Sequence, residues 1–218
     1  LSKFSNIKLN LHGVRLPSFE IENDEKRKIR ASESINNYDF LRALCLEKFK
    51  TLNLEKGSKP YNEYVERVKY ELKILKELGF VDYVLLVWDV TNFCNKENIP
   101  TGLGRGSAAG SLVLFLIGVT KIDPVKHDLF FERFVSKIRA KKTVVNGVTY
   151  LDGSLMCDVD IDVCYYNRKK VLEYLDKKFT GKTSKILTFN TLNTKLLIKE
   201  CGKIIKEKDE TEMNRVTS

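Results

Sequence analysis

Residues 157–163 read Cys157-Asp158-Val159-Asp160-Ile161-Asp162-Val163, an acid at every second position with an apolar residue in each gap. In an extended chain successive side chains point to opposite faces. The pattern therefore predicts a strand over Leu155–Val163. Asp158, Asp160 and Asp162 share one face, and Cys157, Val159, Ile161 and Val163 share the face that packs on a core. Three like charges side by side repel and raise one another's pKa unless a cation sits among them. Hard oxygen donors suit Mg²⁺, which binds through one or two carboxylates and completes its shell with water and phosphate oxygens. A calcium EF-hand opens on the same Asp-x-Asp-x-Asp, but it needs glycine at the sixth position and polar spacers. Val163 and the Val and Ile spacers exclude it. On these residues alone a purely structural acid cluster stays open.

Upstream stands TGLGRGSAAGS, Thr101–Ser111. Gly102, Gly104 and Gly106 let the backbone take positive φ and approach a ligand closely. The small residues after them open a helix, whose first free N–H groups attract phosphate oxygens. Ser107 adds a hydroxyl and Arg105 a fixed positive charge. A Walker loop is excluded, because no Gly-Lys-Ser/Thr closes the turn. The dinucleotide pattern is met literally by Gly104, Gly106 and Ala109, but the polar CNKENIP precedes it instead of a strand, and the nearest acid is Asp123, in a turn before Pro124. That context argues against it. Small residues that let two helices pack closely remain the alternative.

The rest of the chain reads as a mixture of helices and short strands. Helices are predicted over Tyr38–Leu52 and over Tyr61–Leu78, the second closed by Gly79 in a left-handed cap. Val81–Phe93 is apolar core, readable as helix or strand. Ser111–Val119 continues as a buried helix, and Leu129–Phe134 is a short helical piece. Asn146-Gly147 between β-branched residues is the strongest hairpin signal in the chain. Further on, Arg168–Phe179 reads as helix, Lys185–Phe189 as strand and Thr191–Lys206 as helix. No repeat or low-complexity tract interrupts this order.

The formal charge of +9 is concentrated. Twelve Lys or Arg face four Asp or Glu between Arg168 and Lys208, a block that suits a polyanion such as nucleic acid as well as a solvated surface. Five scattered cysteines, with no Cys-x-x-Cys pair, argue against a disulfide frame or zinc knuckle and for a reducing cytoplasm. No apolar run is long enough to span a membrane. Both ends look cut, so the chain reads as part of a longer protein.

A glycine-serine turn followed by Asp-x-Asp resembles the layout of the polymerase-beta-like nucleotidyltransferases. The wording is closer to one family. GRGSAAGSLVLFLIGVTKIDPVKHDLFFERF, YVERVKYELKILKELGFVDYVLLVWDVTNFCNKENIP, DVDIDVCYYNRKKVLEYL and ILTFNTLNTKLLIK resemble the catalytic core of the C-family bacterial replicative DNA polymerases, the DNA polymerase III alpha subunits. The resemblance runs from about Tyr38 to Lys206, in order.

It implies an α/β fold (α+β mixed): a polymerase-beta-like palm with a small mixed sheet flanked by helices, then the start of a helical thumb. Residues 1–36 would be the irregular exit from an absent N-terminal domain, 37–189 the palm with an inserted hairpin at about 135–154, and 190–218 the thumb's start. It further implies template-directed DNA synthesis on two Mg²⁺ ions, for which Mn²⁺ can substitute. Asp158 and Asp160 match two of the family's three catalytic aspartates, with Asp162 as a further metal-ligand candidate. Gly104, Arg105, Gly106 and Ser107 match the triphosphate-binding turn. Lys195, Lys199 and Lys203, spaced by four opposite Leu196, Leu197 and Ile204, form a stripe that could track DNA phosphates.

The implied partners are primer-template DNA, a deoxynucleoside triphosphate, a sliding clamp and other replisome subunits, in a bacterial or phage-infected cell. The third aspartate is expected beyond Ser218, so these residues alone are expected to be inactive. Two departures from the family stand out: a longer stretch between Phe134 and Asp158, carrying KIRAKK and the Asn146-Gly147 hairpin, and Cys157 where proline is common. A non-templated nucleotidyltransferase and an inactive nucleic-acid-binding fragment are the alternative functions.

Overall fold

The helix α3 (Lys59–Leu78) shows how local signals set the frame. Ser58 caps it by accepting the Tyr61 N–H at 3.3 Å, Pro60 stands in its first turn, and Gly79 ends it at φ +76°. Tyr64, Val68, Leu72, Leu75 and Leu78 recur at helical spacing and are buried. After Phe80 the chain re-enters a helix, α4 (Val81–Lys96), which resolves the ambiguous apolar run. Its buried positions Val81, Val84, Leu85, Trp88, Thr91 and Cys94 fall three or four apart, and sixteen residues exceed an ordinary strand.

The computed structural model describes residues 18–29, 32, 34–135, 142–145, 148–151, 157–185 and 193–217. Ahead of α3 lie α1 (Asn23–Lys28) and α2 (Asn37–Lys50). Asn36 caps α2 reciprocally, accepting the Asp39 N–H at 2.9 Å and donating to its carboxylate at 2.7 Å. Phe40 and Leu41 of α2 meet Leu75 of α3, Val84 and Leu85 of α4, and α5 (Leu112–Leu116) in one core, all fully or almost fully buried. Trp88 meets Phe40 and Phe19 edge-on at 5.5 and 6.3 Å between ring centres. Gly118, at φ +80°, follows the short α5, so the predicted helix over Ser111–Val119 is briefer than its apolar run. All five cysteines are free.

Two expectations are corrected. The described residues are mostly helical, and their only sheet is the two-stranded ribbon β1 (Lys142–Val145) and β2 (Val148–Leu151), paired antiparallel from Val145↔Val148 to Lys142↔Leu151. A palm built on a mixed sheet flanked by helices is therefore not the fold seen. The ribbon agrees with the hairpin signal, whose turn, Asn146-Gly147, lies outside the described residues.

The predicted strand over Leu155–Val163 also fails, with 155–156 outside the described residues. Residues 157–162 run without a ladder, and only Val163 forms a single antiparallel bridge, to Thr101. The physical reason lies in the neighbour: in the register of that bridge residues 157–161 would have to face 103–107, and there the glycine-rich turn, with positive φ at Gly104 and Gly106, leads the chain away after Gly102. Alternation survives without the sheet, because an extended segment lying on a core also buries every second side chain. Strand residues predicted at Lys185–Phe189 fall, from 186 on, outside the described residues.

The chain divides into two compact units, the first running to Lys178 and the second from Phe179. The first also holds α6 (Arg168–Lys178). The second contains α7 (Thr194–Lys206), capped by Asn193 through the Leu196 N–H, and α8 (Glu210–Val216), capped by Asp209 through the Glu212 N–H. Gly202 of α7 lies directly against the Met213 thioether of α8, where a Cβ would have no room. Among the described residues no helix is long and apolar enough to cross a membrane.

Candidate functional site

The glycine-rich stretch runs between two backbone neighbours. On one side the Gly102 N–H donates to the Asp162 carbonyl at 2.9 Å, and the Cys164 N–H to the Pro100 carbonyl at 3.1 Å. On the other, Lys121 donates its N–H to the Leu103 carbonyl at 2.7 Å and its Nζ to the Thr101 carbonyl at 2.8 Å. A Cβ on Gly102 would come within 3.0 Å of Asp162 Cβ, so glycine there permits the approach of the two segments. Gly104, at φ +129°, packs on the buried Thr120. Gly106 then opens a 3-10 turn, Gly106–Gly110, with Arg105 and Gly106 exposed and Ser107 half-buried. Ser107 thus stands at the start of a tight turn rather than of a regular helix.

Beneath that turn lies a buried polar hub that sequence reading passed over. Glu71 is fully buried, yet its carboxylate accepts four bonds: Arg67 Nε at 2.6 Å, Ser111 Oγ at 2.8 Å, and the Leu112 and Val113 N–H groups at 3.0 Å each. Arg67 extends Nη2 to the Gly110 and Leu129 carbonyls at 2.9 Å each. Burial pushes the Glu71 carboxyl above its usual range, against the pull of the Val113 and Leu112 N–H groups, Arg67 and Ser111. The hub ties the end of the 3-10 turn to α3. A signal was present: Glu71 falls among Tyr64, Val68, Leu72 and Leu75 on the apolar face of α3, four residues after an arginine. A charge at such a position requires partners.

Along the aspartate segment Asp158, Asp160 and Asp162 are exposed, Val159 and Ile161 half-buried and Cys157 buried. Burial pushes the Cys157 thiol up to about 12, so it remains a protonated packing group. Asp162 pairs with Arg105 at 3.2 Å, joining the segment to the glycine turn. Asp158 and Asp160 form no ion pair among the described residues, and no three His, Cys, Asp or Glu side chains there converge to hold a metal. Tyr83 of α4, also unremarked in the sequence, accepts the Val159 N–H at 3.2 Å. Burial, with Cys157, Asp158 and Asp160 nearby, pushes its phenol up to about 12. Downstream, Tyr165–Asn167 forms a 3-10 turn with both tyrosines exposed, and α6 follows. Tyr174 anchors α6 to α4 by stacking on Phe93 at 3.9 Å and donating to the buried Asp89 at 2.8 Å.

The structure thus brings Gly102 and Arg105 of the glycine turn to Asp162, by a backbone bond and an ion pair, while Gly104 packs on Thr120 and Gly106 has open space where a side chain would begin. Lys195, Lys199 and Lys203 belong to the second unit. There Lys195 is exposed, Lys199 donates to Asn214, and Lys203 pairs with Glu200 at 3.5 Å. Leu196, Leu197 and Ile204 are exposed as well.

Comparison with known proteins shows the family to which the chain belongs. The family model described as the bacterial DNA polymerase III alpha NTPase domain matches residues 39–218. DNA polymerase III subunit alpha of Aquifex aeolicus (strain VF5) is 36% identical over 167 residues, which is 76% of this chain and 13% of that protein. The protein of the same name from Staphylococcus aureus (strain MRSA252) is 34% identical over 98% of this chain and 17% of its own length. The Ureaplasma parvum serovar 3 relative, again so named, is 36% identical over 94% of this chain and 19% of its own. The chain therefore spans less than a fifth of the length of these relatives.

Proposed function

This chain belongs to the bacterial DNA polymerase III alpha family, and from that membership we propose that its first unit carries the nucleotide- and metal-binding side of a replicative DNA polymerase site. The reaction is template-directed: a primer 3′-hydroxyl attacks the α-phosphate of an incoming deoxynucleoside triphosphate and releases pyrophosphate. The observation that carries this reading is the joining of the two motifs, through the Arg105–Asp162 pair and the Gly102-to-Asp162 backbone bond.

The donor set suits a divalent ion. Asp158 and Asp160 offer hard oxygens from one exposed side of a single segment, and Mg²⁺ needs no more than one or two carboxylates when phosphates and water complete its shell. Bound there, Mg²⁺ or Mn²⁺ would lower the pKa of the attacking hydroxyl and neutralise charge on the phosphates. Asp158 and Asp160 hold and orient the metal-bearing side of the site, and Asp162 holds Arg105 beside it. The backbone of Gly104–Ser107 and the Ser107 hydroxyl receive the β and γ phosphates, with Arg105 supplying positive charge. Because the Arg105–Asp162 pair is exposed on both sides, it contributes little, about 0–1 kcal/mol, and a triphosphate can displace it. Catalysis then rests on positioning and charge rather than on a covalent intermediate.

In the second unit Lys195, Lys199 and Lys203 contact DNA phosphates, Lys195 most directly since it alone of the three carries no bond or ion pair among the described residues. A clamp and other replisome subunits, and a bacterial cytoplasmic setting, complete the proposal. The test is primer extension by a polymerase-length chain containing this sequence. Asp158→Ala and Asp160→Ala are expected to remove extension and to leave DNA binding intact; extension at the unmodified rate by both variants contradicts the assignment. Extension that persists without template would instead indicate a non-templated transferase.

A further inference from the structure

Something other than a sheet must hold the aspartates in register, because residues 157–162 lack a ladder partner among the described residues. Backbone bonds at Asp162 and Cys164 fix only the downstream end of the segment. Between Asp158 and Asp160 the bond present among the described residues is that of the Val159 N–H, which donates to the Tyr83 hydroxyl at 3.2 Å. That N–H belongs to the peptide plane linking Asp158 to Val159, so the bond sets the direction in which the chain presents both neighbouring carboxylates. Tyr83 is itself held. It is half-buried on α4, its ring meets Phe80 edge-on at 6.4 Å, and α4 is packed into the core through Val84 and Leu85.

We propose that Tyr83 is a positioning residue for the Asp158–Asp160 pair, its hydroxyl standing where a neighbouring strand's carbonyl would otherwise accept the Val159 N–H. The consequence is a fixed spacing between two exposed carboxylates that would otherwise move apart under their own repulsion. This inference rests on the reading of Asp158 and Asp160 as the metal ligands.

Mn²⁺ binding to a polymerase-length chain containing this sequence, followed by electron paramagnetic resonance of the free ion, tests it with four proteins: unmodified, Tyr83→Phe, Asp158→Asn and Asp160→Asn. Tyr83→Phe keeps the ring and removes only the acceptor. It is expected to weaken Mn²⁺ binding about threefold to tenfold with an unchanged melting midpoint, while each Asp→Asn change abolishes binding at the site. In a polymerase-length chain the same Tyr83→Phe change is expected to lower kcat, with partial recovery at raised Mn²⁺ and an unchanged KM for primer-template. Unaltered Mn²⁺ affinity in Tyr83→Phe, with binding lost in the aspartate variants, overturns the role of Tyr83 and leaves the ligand pair standing. Weakened binding accompanied by a lowered melting midpoint assigns Tyr83 to packing alone and also overturns it. Unaltered Mn²⁺ affinity in the aspartate variants removes the ligand pair itself, and this inference with it.

Discussion

The underside of the glycine turn and the aspartate segment solve opposite problems with the same kind of side chain. Glu71 is a carboxylate taken wholly out of water and given four donors, so its charge is answered inside the protein. Asp158 and Asp160 are carboxylates left in water without an ion pair among the described residues. The first arrangement ties the glycine turn to α3; the second leaves charge that, in the function proposed above, is answered by a metal arriving with the substrate. On that proposal the buried, satisfied acid belongs to the architecture and the exposed pair to the chemistry.

The sharpest way to break this contrast is to remove each acid and compare activity with stability. Asp158→Ala or Asp160→Ala in a polymerase-length chain is expected to reduce primer extension by at least about 10³-fold, a barrier increase of roughly 4 kcal/mol. The melting midpoint should stay put or rise, since a repulsive charge has been removed. A large fall in stability would put these acids in the architectural class.

Glu71→Ala should do the reverse. It strands Arg67 and leaves the Leu112 and Val113 N–H groups unpaired, costing about 3 kcal/mol or more in denaturant unfolding. Loss of well under 1 kcal/mol would show that the hub does not support the turn.

How much of this contrast was legible in the sequence depends on how local its causes are. The cap at Gly79, the period of α3 and the Asn146-Gly147 hairpin signal follow from neighbouring residues and are readable; the Ser58 cap, which starts α3 at Lys59 rather than Tyr61, is not among the sequence expectations. The strand expected over Leu155–Val163 fails over its described part because alternation reports which side chains are buried, not whether another strand lies alongside. Pairing depends on distant residues, here on a glycine turn that leaves after one bridge. Without that ladder the mixed sheet also disappeared from the fold. The closeness of the glycine turn and the aspartates was inferred from family wording alone. Glu71 and Tyr83 were missed for the same reason in miniature: both act on segments forty or more residues away in sequence.

Smaller effects sharpen the comparison further. Arg105→Ala removes a charge that pairs with Asp162 and that we propose meets an incoming triphosphate. It should raise the KM for nucleotide about five- to tenfold, with little change in kcat or melting midpoint. An unchanged KM would confine Arg105 to its pairing with Asp162. The smallest effect is expected from Lys195→Ala in the second unit: a loss of DNA affinity of under about 1 kcal/mol, and a salt dependence shallower by about one unit. A salt slope identical to that of the unmodified protein would remove Lys195 from the DNA contact.

The most direct measurement is a crystal structure of a polymerase-length chain containing this sequence, with primer-template, a deoxynucleoside triphosphate and Mn²⁺, read through the metal's anomalous scattering. The expected result is a Mn²⁺ peak ligated by Asp158 and Asp160, with the triphosphate tail against Gly106 and Ser107 and Arg105 turned toward it. A nucleotide seated away from that turn, or a metal peak with neither aspartate in contact, would contradict the union of the two motifs in one site.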